Sequence, residues 1–121
     1  MVEQYRKISA RPDAVGLLYP VISFTSEYHE GSYIYNTNEK PGLREKLSVE
    51  FHITSDYPMT YAYANADDGC VPASNTMRLN EALEKAGVKH LCEVYPTGDH
   101  GIGLDIILLT KMWSRKHACV L

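Results

Sequence analysis

Two short stretches of this 121-residue chain carry side chains suited to acid–base chemistry. The first is Ala66-Asp67-Asp68-Gly69-Cys70-Val71-Pro72, and the second is Tyr95-Pro96-Thr97-Gly98-Asp99-His100-Gly101-Ile102-Gly103. An imidazole serving as general base needs its other nitrogen held by a carboxylate, which fixes the tautomer and stabilises the imidazolium. Asp68 and His100 stand 32 residues apart, with room for one strand–helix–strand crossover between them. Glycines on both sides of Asp99-His100 let a tight loop project the ring.

These residues meet only if the elements around them place both stretches on one edge of a sheet. Asp13 to Phe24 is nearly continuous in apolar residues, which predicts a strand covered on both faces, as in a parallel sheet; Pro20 should end its pairing. Thr25 to Pro41 is polar and without a clean period, so it reads as a long surface excursion. Leu43, Leu47 and Phe51 fall at helical spacing and predict a short helix over Leu43 to Thr54. Met59 to Ala64 alternates large and small residues as a second strand does. Leu79, Ala82, Leu83 and Ala86 form one stripe of a helix over Ala73 to Ala86, with Gly87 as its C-cap. Leu91 to Tyr95 is a third strand, and a final helix is expected over Leu104 to Lys116. Strands alternating with helices predict an α/β fold with a parallel sheet. In such sheets the chemistry gathers in loops after the strands, where Asp68 and His100 both fall.

Composition excludes several alternatives. With 45% hydrophobic and 22% charged residues, the chain matches an ordinary globular domain, and its length allows one at most. A net charge of -3 leaves no basic footprint, so no nucleic-acid partner is expected. No apolar run approaches the ~18 residues that would span a bilayer, and no signal peptide is evident, so no membrane partner is expected either. Cys70, Cys92 and Cys119 are odd in number and widely spaced, which suits a reducing compartment; the expectation is a cytoplasmic protein.

Other reactive residues have simpler explanations. His29 and His52 lack a partner at metal-ligand spacing and read as surface histidines. Asp67-Asp68-Gly69 lacks the downstream acidic ligands of a calcium loop. Cys70 is expected to be a half-buried packing cysteine rather than a reactive thiol. Tyr61, Tyr63 and Tyr95 are expected in or near the core, whereas Tyr28, Tyr33 and Tyr35 either line a pocket or cover the sheet.

Asp-x-x-Val-Pro at Asp68 to Pro72, followed by Pro-x-Gly-x-His-Gly-x-Gly-Leu at Pro96 to Leu104, resembles the α/β-hydrolase family. Within it, the chain looks most like the acetyl-xylan-esterase-like and dienelactone-hydrolase-like esterases. Arg11-Pro12-Asp13-Ala14 leading into Leu18-Tyr19-Pro20-Val21-Ile22, then His29-Glu30-Gly31-Ser32 and Leu47-Ser48-Val49-Glu50, are similar to that group as well. The resemblance runs from about residue 10 to about residue 113. It implies a three-layer α/β-hydrolase fold of which this chain holds the C-terminal strands and helices only. By position, Asp68 would be the triad acid, with Asp67 its adjacent competitor, and His100 the general base. The family orders its triad as serine, acid, histidine, so the nucleophile would lie upstream.

The family's serine sits in Gly-x-Ser-x-Gly. None of Ser9, Ser23, Ser26, Ser32, Ser48, Ser55, Ser74 and Ser114 has that setting. The expected unit is therefore one truncated domain over residues 1–121, inactive on small-molecule esters unless complemented, with no cofactor or metal implied. A first strand with an unpaired edge invites pairing with another chain. Homo-oligomerisation, or a partner supplying the N-terminal half, is expected.

Overall fold

The computed structural model of the chain describes residues 8–102. Three strands form one sheet in the order β1 (Ala14–Leu18), β2 (Met59–Asn65), β3 (His90–Tyr95), all parallel. The register pairs Leu18 with Tyr63 and Asn65 with Tyr95, so all three strands end near one edge. The helix expected over Leu104 to Lys116 lies outside the described residues, as does Cys119.

Central strand β2 explains itself through its neighbours. Ala62 is small enough to let a helix approach closely, and that helix is α3 (Ser74–Ala86). Ala62, Leu79 and Leu83 are fully buried and pack with Ile22 and Val88. Burial of each leucine contributes roughly 1.5–3 kcal/mol. Gly87 ends α3 at φ 70°, and the Val88 N–H then reaches back to the Leu83 carbonyl at 3.0 Å. That left-handed step is available to glycine at little cost and turns the chain directly into β3.

Three expectations from the sequence need correction. Strand β1 is not covered on both faces: among the described residues its burial alternates between exposed and half-buried, as an edge strand's does. Its ladder does end ahead of Pro20 as expected, at Leu18, where Tyr19 takes φ 41° and leaves the extended region.

The excursion contains a helix, α1 (Glu30–Thr37), capped by His29, whose Nδ1 receives the Ser32 N–H at 3.1 Å. Within it Tyr33 and Thr37 are buried, Tyr28 is half-buried and Tyr35 is 90% exposed, so these tyrosines do not act as one cover.

The helix expected over Leu43 to Thr54 is broken into a 3-10 turn at Pro41–Leu43, α2 (Arg44–Leu47) and a second 3-10 turn at Val49–Phe51. The break falls at the fully buried Ser48. Its hydroxyl donates to the Arg44 carbonyl at 2.7 Å and accepts from the Phe24 N–H at 2.8 Å, tying the segment to the chain beyond β1. Phe51, placed in the apolar stripe by its spacing, is 57% exposed.

Candidate active site

The loops after β2 and β3 come together at the edge where the strands end. The Ala66 N–H donates to the Tyr95 carbonyl at 2.7 Å, which seats the first loop on the end of β3. Asn65, the last residue of β2, is fully buried and donates from Nδ2 to the Asp99 carbonyl at 2.8 Å.

Within the first loop the two aspartates do different things. Asp67 is exposed and accepts the backbone N–H groups of Gly98 (3.2 Å) and Asp99 (2.9 Å). Asp68 has no exposed side-chain surface and directs Oδ2 at His100 Nδ1, 2.8 Å away. Its Oδ1 accepts the N–H groups of Cys70 and Val71, each at 2.8 Å. The ring therefore meets Asp68, not the neighbouring Asp67.

Electrostatics follow from that geometry. Burial alone pushes the Asp68 carboxyl up. The hydrogen bonds from His100, Val71 and Cys70, with the charge of His100, outweigh it and hold the group below the ordinary aspartate range. An ionised Asp68 accepts from Nδ1–H, which leaves Nε2 as the basic nitrogen of the ring. The imidazole is 31% exposed, so it remains reachable from solvent.

The loop that carries His100 is bent through unusual backbone. Gly98 has φ 149°, Asp99 φ 53° and Gly101 φ 80°. A β-carbon at position 98 would lie 2.6 Å from Asn65 Nδ2, so the close approach needs a glycine. Asp99 holds a left-handed conformation that costs a non-glycine residue roughly 1–2 kcal/mol. Its carboxylate meets the His100 N–H at 2.8 Å, one local compensation.

Tyr19 was not singled out by its sequence context, yet it walls the site. Its positive φ turns the chain at the end of β1, where its N–H donates to the Tyr63 carbonyl at 2.6 Å. The ring centroid then lies 4.6 Å from that of His100 and 5.8 Å from that of Tyr63. A left-handed tyrosine is the signal that could have marked it, and no periodicity reveals that. Asn75 was also missed: fully buried, it accepts the Ile22 and Ser23 N–H groups and donates to the Glu27 and Pro72 carbonyls. It thereby fixes the segment beyond β1 against the start of α3.

The remaining candidates fall elsewhere. His29 caps α1, and His52 Nε2 lies 3.2 Å from the Glu45 carbonyl. Among the described residues no three His, Cys, Asp or Glu side chains gather as a metal cluster would. Cys70 is exposed rather than half-buried, because its N–H is drawn toward Asp68 while its side chain stays in solvent. Tyr63 is fully buried, whereas the half-buried Tyr61 and Tyr95 direct their hydroxyls to Glu93 at 3.3 and 2.8 Å. No helix among the described residues is long and apolar enough to cross a membrane.

No family model matches the chain. It is 30% identical over 113 residues to endo-1,4-beta-xylanase B of Butyrivibrio fibrisolvens, covering 92% of this chain and 18% of that protein. Among solved structures it is similar to the acetyl ester-xyloside bifunctional hydrolase of Caldicellulosiruptor lactoaceticus: TM-score 0.79, 37% identity, 89% of this chain and 41% of that one. A sugar hydrolase from Lactococcus lactis matches with TM-score 0.67 and 28% identity over 85% of this chain and 41% of its own. More distant esterases, a Lactobacillus plantarum carboxylesterase at 20% identity among them, share the fold alone. The chain thus spans about two fifths of the length of the solved relatives it matches.

Proposed function

We propose, for a chain that stands with the α/β-hydrolases of the acetyl-xylan-esterase-like kind, that it is the C-terminal half of a serine carboxylic-ester hydrolase domain and supplies its acid and its base. The observation that carries this reading is the 2.8 Å contact between His100 Nδ1 and the buried carboxylate of Asp68. The nucleophile would come from a Gly-x-Ser-x-Gly segment outside these 121 residues.

The chemistry then runs on side chains alone. His100 Nε2 takes the serine proton as the oxygen attacks the ester carbonyl, and the resulting imidazolium is stabilised by Asp68, which stays ionised. The imidazolium returns that proton to the departing alcohol, leaving an acyl-enzyme. Water, deprotonated by the same nitrogen, releases the acid and restores the serine. Relatives named for acetyl ester-xyloside hydrolysis and for xylanase support an acetylated carbohydrate as the substrate class. The partner would be the chain segment bearing the N-terminal half, with the cytoplasm as the working compartment.

Co-production with the serine-bearing portion of the Caldicellulosiruptor hydrolase tests this reading, with p-nitrophenyl acetate as substrate. The complemented pair should hydrolyse it faster than either part, and His100→Ala should reduce that rate by roughly 10³-fold or more. Complementation that is indifferent to His100→Ala would remove the role assigned to His100.

One observation favours a second reading. Among the described residues β1 pairs on one side only, and Leu18 on it is 38% exposed. An open edge of this kind recruits strands. A non-catalytic α/β fragment that self-associates through β1 would give a symmetric oligomer with no activity on complementation.

A further inference from the structure

We infer that Asp67 is a positioning residue for His100, holding the backbone of the histidine loop while Asp68 holds the ring; this rests on the reading of His100 as general base. The two aspartates are adjacent, yet they grip different parts of one loop. Asp67 Oδ1 and Oδ2 receive the N–H groups of Asp99 and Gly98, the two residues before His100. Successive N–H groups turned to one side by positive-φ backbone form a concavity that attracts an anion, and here the anion is a side chain of the neighbouring loop.

The arrangement is not explained by packing. Asp67 is exposed, and so gains nothing from burial by facing these donors. Asn65 supports the same bend from beneath through the Asp99 carbonyl, and Gly98 passes too close to Asn65 for any β-carbon. Asp99 is a non-glycine residue at φ 53°, a conformation it would leave if its N–H lost the carboxylate. A relaxed Asp99 would carry the next residue away from Asp68, and the fixed Nδ1–H tautomer would be lost with the contact.

Nitrogen-15 NMR of the His100 ring in the full chain, in mildly alkaline buffer, reads the tautomer directly. The unsubstituted chain should show Nδ1–H as the dominant form. Asp67→Ala should convert it to the Nε2–H-dominated mixture of a free histidine while the thermal transition stays cooperative. Asp67→Asn, which keeps one carbonyl acceptor, should give an intermediate population. Retention of the Nδ1–H form in both variants would overturn the positioning role and leave the Asp68–His100 pair intact. Absence of the Nδ1–H form in the unsubstituted chain would instead overturn the pair itself, and with it the function proposed above.

Discussion

Asp68 Oδ2 stands 2.8 Å from His100 Nδ1, while Asp68 Oδ1 receives the backbone N–H groups of Cys70 and Val71. One carboxylate is thus fixed from its own turn on one side and fixes an imidazole on the other. Buried side chains that accept this many hydrogen bonds do not rotate freely, so the ring orientation is set by the fold itself.

The first consequence concerns acid. Asp68 is held below the ordinary aspartate range, so its folded-state pKa lies below its unfolded one. Its stabilising contribution is then complete above about pH 3.9, the unfolded value, and is lost as the pH falls through the folded value. Asp68→Asn should flatten the acid limb of a urea-melt stability profile over that window. An unchanged limb would show that the carboxylate is not held by these donors.

How much of this was legible in the sequence depends on the residue. Asp68 and His100 could be found because each falls in a glycine-bearing loop after a predicted strand, and the helix over α3 followed from its leucine spacing and Gly87. Helix α1 could not, since its cap is a histidine and its buried positions are Tyr33 and Thr37 in a polar stretch. The segment around Ser48 misled for the opposite reason. Its leucine spacing is helical, but a buried hydroxyl bound to the Phe24 N–H outweighs the pattern. Tyr19 acts through a ring contact, and Asn75 through backbone groups, with residues distant in sequence, and no local signal carries that information.

Tyr19 and His100 should be energetically coupled through their ring contact at 4.6 Å. A double-mutant cycle with Tyr19→Ala and His100→Ala, read by urea denaturation, should give a coupling of about 0.5–1.5 kcal/mol. Additive effects would show that the ring contact contributes no coupling.

Asn75 should be costly to remove despite lying outside the Asp68–His100 pair. Asn75→Ala leaves the buried N–H groups of Ile22 and Ser23 without their acceptor, at about 1–3 kcal/mol for each. Chemical denaturation should register that loss as a lowered midpoint. A variant of unaltered midpoint would mean that other groups satisfy those donors.

The central claim is that His100 and Asp68 activate a serine that these 121 residues do not themselves provide. Intact-mass analysis after incubation with a fluorophosphonate tests it directly. The chain alone should take no adduct, and complementation with a Gly-x-Ser-x-Gly segment should give a stoichiometric adduct on that segment's serine, lost in His100→Ala. An adduct on the chain alone, abolished by His100→Ala, would contradict the account and show that one of its own serines is the nucleophile.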